Sequence, residues 1–337
     1  MTRQARSVVG YGVDEGIPIY RTPDLALPVA HLLAHGFLSM RVLEKLKLDV
    51  IHVCQPGTFL LGDAHAPVVA TFHTTIDQEK AAFSRRSLYG LYVNFMWPLI
   101  ELIEEDTAKK SGKIIAVSRE TAKTLIDKHP ECSGRIEVIY NAVPREWFQI
   151  GRRERGNVLL FVGRLSEVKG VEYLVEAMVT VKRDFPDVRL LLVGDGELKG
   201  RLQRKVRNLG LRESVTFEGD LDESMLLTLY SMATAFVLPS LYENCPFSIL
   251  QAFASGVPVV ATRIGGVSEL IDDAESGLLT PPRDTARLAS AISRMLADTQ
   301  LRRKISDKAK EFAYKNLQLK TAIDRLERIY SDLANRS

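Results

Sequence analysis

Cysteine is scarce in this chain, and the three present (Cys54, Cys132 and Cys245) are odd in number and follow no spacing pattern. That excludes a disulfide framework and makes a reducing cytosol the expected compartment. Neither sign of charge is in excess: 45 Lys and Arg stand against 42 Asp and Glu, a formal net charge of +3. With no basic run and no aromatic stripe among basic residues, nucleic acid is not an expected partner. The opening MTRQARSVVGYG lacks the apolar core of a signal peptide. Long apolar runs are missing too. The nearest, LYGLYVNFMWPLI (88–100), is too short for a bilayer and is interrupted by Pro98. It reads as a buried or interfacial helix that could touch a membrane surface. No Ser/His/Asp order, His/Cys metal cluster or Walker loop is present. Gly10, Gly12 and Gly16 have the wrong spacing for a phosphate-binding loop, and no apolar helix follows them. His31 and His35 have the spacing of a zinc pair but no third ligand, and read as partly buried helix histidines.

What is present is alternation. At 337 residues the chain exceeds what one core usually supports, so two domains are expected. The segment GYGVDEGIPIYRTPDLALP reads as a short strand plus loops. LDVIHV (48–53), PVVATFH (67–73), KIIAVS (113–118) and RIEVIY (135–140) are apolar runs of the kind that form parallel strands buried on both faces. GRRERGN (151–157) reads as a linker, after which NVLLFVG, RLLLVGDG, VTFEG, AFVLPS and VPVVAT continue the pattern. Between them lie helical stretches, one with Leu174, Val175, Met178, Val181 and Phe185 on one face, another with Leu198, Leu202, Val206 and Leu209 in line. The expected class is α/β: two doubly wound Rossmann-like domains, residues 1–150 and 151–315, facing a ligand cleft. An amphipathic last helix, within 316–337, carries Leu319, Ile323, Leu326, Tyr330 and Leu333.

The stretch around SLYENCPFSILQAFASG (240–256) carries the most chemistry. It joins two buried strands through a loop holding Glu243 and Asn244 and a helix with Pro246 in its first turn. Phe247, Leu250, Ala254 and, one residue off, Ile249 give that helix a face for the sheet. Ligands of open parallel sheets bind at the carboxyl ends of strands, beside helix N-termini. Glu243 and Asn244 stand at such a place, although capping the helix is an equal alternative. Arg164 leaves another strand end and Lys169 precedes Gly170 and a helix, an arrangement suited to a diphosphate; a solvated basic loop is the alternative. Gly194, Asp195 and Gly196 let the backbone approach a ligand or simply turn. Asp220 and Asp222 read as helix capping rather than metal binding. Gly265 and Gly266 let a loop pass near the cleft or the next helix. His73, at a strand's carboxyl end, holds a functional position by geometry.

Together, FVGRLSEVKG, LLLVGDG, LPSLYENCPFSILQAFASGVPVVAT, GGVSELI and SGLLTPPRD, in this order, resemble glycosyltransferase family 4, the retaining nucleotide-sugar enzymes of GT-B fold. The resemblance covers nearly all of residues 157–284 and runs of the first half. It implies a donor site mostly in the second domain and a last helix crossing back onto the first. It implies no metal and no cofactor, since cations and helix N-termini stabilise the leaving diphosphate. Arg164 and Lys169 would bind the diphosphate, Glu243 the sugar hydroxyls, and Asn244, Cys245, Pro246 and Phe247 sugar and phosphate, although Pro246 has no N–H to give. His73 would lie near the reacting sugar. The second Glu of the family's Glu-x7-Glu is Gln251 here, which would meet the ribose without charge assistance. The chain reads as starting within a later strand than its relatives, without their Gly-rich loop, and as shortened between Leu60 and Pro67. The expected function is transfer of a hexosyl or related group from a nucleotide-diphosphate sugar, with retention, to a sugar, lipid-linked or small-molecule acceptor. Alternatives are a weak or inactive nucleotide-sugar-binding subunit that needs a partner chain, and a phosphorylase or epimerase of the same fold. A homo-oligomer is left open.

Overall fold

Strands apolar at every position are stable only when both faces are covered, and the chain's runs of Val, Leu, Ile and Phe form such sheets. The computed structural model describes residues 10–14, 17–21, 36, 38–39, 41–55, 65–78, 88–153 and 156–335. His31, His35, Gly16 and most of the stretch between Leu60 and Pro67 lie outside the described residues. Among the described residues, contacts divide the chain into two units. One runs through Val117, resumes over Thr121–Val138 and takes up the chain again at Leu326; the other holds Ser118–Glu120 and Ile139–Arg325.

In the first unit, β1 (Gly10–Asp14) and β2 (Ile17–Arg21) pair antiparallel, with Tyr11 opposite Tyr20 and Asp14 opposite Ile17. The expected single strand plus loops is thus a hairpin. The alternation of Tyr11 and Val13, then Ile17 and Ile19, is the period-two signal that the glycines obscured. A parallel sheet follows in the order β3 (Ile51–Gln55), β4 (Val68–Phe72), β5 (Ser111–Ala116) and β6 (Ile136–Val138). Val53, Ala70, Phe72, Ile114 and Leu125 lie in its core. The helix Leu88–Lys110 holds Pro98 within it.

In the second unit six parallel strands run in the order β12 (Leu278–Thr280), β11 (Val259–Thr262), β10 (Ala235–Leu238), β7 (Val158–Val162), β8 (Arg189–Val193), β9 (Val215–Gly219). The chain moves outward from β7 to β9, then returns to start again on the other side of β7 with β10. That reversal is a topological switch point, and the loops leaving β7 and β10 flank it.

Residues 139–150, expected with the first domain, belong to the second unit. Trp147 is fully buried there, edge-on to Tyr230, and its Nε1 donates to Glu223 at 2.8 Å. Arg152 and Arg153, at the start of the stretch read as a linker, bond to the same unit: Arg153 N donates to Ser231 O at 2.8 Å and Arg152 to Tyr230 O at 3.2 Å. A large aromatic buried against the second core outweighs the charge and glycine that suggested a boundary. The last helix, Leu319–Ala334, begins in the second unit and ends in the first. Its apolar line is not uniformly covered, since Leu319 and Ile323 are exposed while Ile329 is buried.

Candidate functional site

The loops leaving β7 and β8 interlock through glycine. Gly163 N donates to Val193 O at 3.0 Å, and Leu165 N to Asp195 O at 2.8 Å. Gly194 has φ 117°, and a Cβ there would lie 2.2 Å from Gly163 O; one on Gly196 would lie 2.5 Å from Leu165 O. The glycines therefore admit the neighbouring loop's backbone. The Asp195 carboxylate accepts from Gly196 N at 2.7 Å and Lys199 Nζ at 2.6 Å. Lys199 first, then that amide, holds its pKa below the usual carboxylate range.

The β7 loop is fastened as closely to the loop leaving β10. Gly170 takes φ 61°, and a Cβ on it would fall 2.1 Å from Pro239 O; Leu241 N donates to Val168 O at 2.7 Å. This brings Lys169 Nζ to 2.5 Å from Glu243 Oε1. The same carboxylate oxygen accepts the Ser240 hydroxyl at 2.8 Å, and the Thr262 hydroxyl in turn donates to Ser240 O. Glu243 is only 8% exposed, so this arrangement compensates a nearly buried charge. Arg164 is exposed on the same loop as Lys169. Ser240 and Thr262 were missed in the sequence, although both stand at strand ends where a ligand-side role is expected.

Below Glu243 the chain is held from the other side. Gly266 N donates to Glu243 O at 3.1 Å, and a Cβ on Gly266 would fall 1.6 Å from Asn244 O. Gly265 and Gly266 thus let their loop pass against the Glu243–Asn244 backbone. Asn141 Nδ2 donates to Cys245 O at 2.9 Å, and burial pushes the Cys245 thiol up to about 12, so it stays protonated near neutral pH. Pro246 is the N-cap residue of the helix Phe247–Ser255 and does not lie inside its first turn; no side chain caps that helix. The N-cap position is thus that of Pro246 and not of Glu243 or Asn244. The helix Val171–Asp184 starts at Gly170, also without a side-chain cap. Two helix N-termini whose N-cap residues, Gly170 and Pro246, supply no side-chain cap thus follow the two loops, and the dipole at each favours an anion.

Phe247 corrects the expected apolar face, for it is 52% exposed while Ile249, Leu250, Phe253 and Ala254 are buried. Helical side chains lean toward the N-terminus, so at the first position the ring projects past the helix end rather than onto the sheet. Gln251 is half-buried on this helix. Asp222 is a helix cap, accepting from Met225 N at 2.9 Å.

His73 belongs to the other unit, immediately after β4. The turn after it is fixed by a reciprocal cap: Gln78 N donates to Thr75 Oγ1 at 3.4 Å and Thr75 N to Gln78 Oε1 at 3.0 Å. Ile76 N donates to Glu104 Oε2 at 2.8 Å. His52, on β3, bridges Thr71 Oγ1 at 2.7 Å and Tyr330 Oη at 2.5 Å. Burial lowers the pKa of His73; burial and then His73 lower that of His52.

Residues 143–312 match the family model of glycosyl transferases group 1, and residues 4–147 that of glycosyltransferase family 4. The chain belongs to this glycosyltransferase family. An uncharacterized glycosyltransferase of Methanocaldococcus jannaschii is 29% identical over 91% of the chain and 83% of its own length. The alpha-D-kanosaminyltransferase of Streptomyces kanamyceticus is 33% identical over 52% of the chain and 46% of its own. The sucrose-phosphate synthase of Thermosynechococcus elongatus shares the fold, with TM-score 0.76 at 22% identity over 94% of this chain and 81% of that one. The GT-B architecture of two Rossmann-like domains expected from the sequence is therefore the fold of this glycosyltransferase. Among its described residues, no group of three or more His, Cys, Asp or Glu could hold a metal ion, and no helix is long and apolar enough to cross a membrane.

Proposed function

We propose that this glycosyltransferase moves a hexosyl or related group from a nucleotide-diphosphate sugar to a sugar, lipid-linked or small-molecule acceptor, with retention and without a metal. The observation that carries the reading is the meeting of Lys169 and Glu243 at the switch point of the six-stranded sheet, between two helix N-termini that lack side-chain caps. The roles follow from charge. Arg164 and Lys169, with helix N–H groups, balance the charge that grows on the diphosphate as the sugar bond breaks. Glu243 can accept hydrogen bonds only, which suits the hydroxyls of a sugar. Such a site works by orientation and electrostatics, the leaving phosphate itself taking the acceptor's proton. His73, with its pKa lowered by burial, stays neutral near pH 7 and is assigned to the reacting sugar by family resemblance.

The test is a thermal-shift panel of UDP-, GDP- and ADP-sugars in the presence of a chelator, since a ligand of the folded state raises the melting temperature by mass action. A shift with one base supports the donor site and selects the donor for acceptor screening, and the product's anomeric configuration then tests retention. If no base shifts the transition, the reading moves to a subunit that binds donor only with a partner chain.

A further inference from the structure

The hydroxyl of Tyr230 has two neighbours and only one proton. Its ring is fully buried, edge-on to Trp147 at a centroid distance of 5.1 Å and stacked on Phe236 at 5.7 Å, so packing fixes where the hydroxyl sits. Tyr230 Oη lies 3.0 Å from Ser248 O and 3.4 Å from Gln251 Oε1. It can donate to one of these oxygens, not both. Ser248 O is nearer and can only accept. The Gln251 amide keeps its shape when turned over about its last side-chain bond. So turned, Gln251 Nε2 donates to Tyr230 Oη while Tyr230 donates to Ser248 O. The tyrosine hydroxyl then both donates and accepts, and the amide oxygen of Gln251 faces away from the tyrosine.

We propose that Tyr230 is a positioning residue that sets the Gln251 amide, so that the glutamine offers its oxygen rather than its NH2 to a ribose hydroxyl of the donor nucleotide. The inference rests on the donor-site reading above. It explains how an amide can stand where the family pattern has a carboxylate, which only accepts: the buried hydroxyl engages the amide's donor end and leaves an acceptor for the ligand. Without that anchor the amide is no longer held with its oxygen toward the ribose.

The experiment is calorimetric titration of UDP, GDP and ADP into the full chain. The tightest of the three, and its 2′,3′-dideoxy analogue, are then titrated into Tyr230→Phe, Gln251→Ala and the double variant. Tyr230→Phe is expected to weaken the ribonucleotide roughly three- to tenfold, the range of one neutral hydrogen bond, and to leave the dideoxy analogue unchanged. The double variant should bind like Gln251→Ala. A merely structural tyrosine would weaken both nucleotides alike, and that result, or no change, overturns the inference while the donor site stands. Failure of all three nucleotides to bind the unmodified chain would take down the donor site and this inference with it. Should Tyr230→Phe not fold, hydrogen exchange of the Gln251 side-chain amide, identified by its loss in Gln251→Ala, decides the matter. Slow exchange in the free protein supports an anchored NH2, and exchange as fast as in an exposed glutamine overturns it.

Discussion

Lys169 and Glu243 stand 74 positions apart in the chain and 2.5 Å apart in the fold. The pair holds the ammonium at the mouth of one strand loop and the carboxylate at the mouth of the next, each orienting the other. Glu243, also held by the Ser240 hydroxyl, is the less exposed partner, so the two ends respond differently to mutation.

Arg164→Ala and Lys169→Ala should each lower turnover by about 100-fold or more, the scale of losing one preorganised charge from a transition state. Their stabilities should differ. Arg164 is exposed, and its loss should leave the melting temperature unchanged. Loss of Lys169 strands the Glu243 carboxylate, costing about 1 kcal/mol after allowance for the partial exposure of the lysine. Steady-state kinetics with a thermal melt separates the two, and near-normal turnover in both variants would remove the diphosphate assignment.

Gln251→Glu should tighten donor binding, by roughly two- to tenfold, because a carboxylate accepts the ribose hydroxyl with charge assistance. Tyr230 can turn its proton from Ser248 O to the new carboxylate, so the substitution is tolerated in the core. Isothermal titration measures the change, and weaker binding would mean that residue 251 does not meet the ribose.

Gly266→Ala should destabilise the second unit by about 2 kcal/mol or more, since the added methyl falls on a backbone oxygen that cannot swing aside. The colliding atom is Asn244 O, at 1.6 Å, so the damage reaches the Glu243 loop directly. Donor affinity should fall together with the denaturation midpoint. A variant as stable as the parent would show that the loops are not packed as described.

Stability should decline as pH falls below about 6.5. His52 and His73 have folded-state pKa values lowered from 6.5, by burial in both cases. Between the unfolded and folded values the unfolded chain binds more protons, so unfolding becomes easier as pH drops through that window, and above it the two histidines contribute no pH dependence. His52→Gln should flatten the slope of urea stability against pH below 6.5 and leave it unchanged at pH 8. An equal slope in parent and variant would assign the acid sensitivity to other groups.

The sequence by itself determined the class of fold and the family. Apolar runs such as VLLFV and VVATF state locally that both faces of a strand are covered, and Arg164, Lys169 and Glu243 stand out by their place at strand ends beside helix starts, whereas the role given to Gln251 comes from the family resemblance alone. Some local signals were available but overlooked, the Thr75–Gln78 cap and the alternation in β1 and β2 among them. Other features are not local properties. That β10 returns to pair with β7 is what brings Lys169 to Glu243, and no stretch of chain states which distant strand will be its neighbour. The glycines at 194, 196 and 266 are legible as freedom, but only packing shows that each admits another loop's carbonyl. Trp147 is buried against Tyr230 in the unit that begins again at Ile139, and the hydroxyl of the same tyrosine lies 3.4 Å from the Gln251 amide, a proximity that no local pattern states. Periodicity reports how much of a segment is covered; which atoms cover it is decided only when the segments pair.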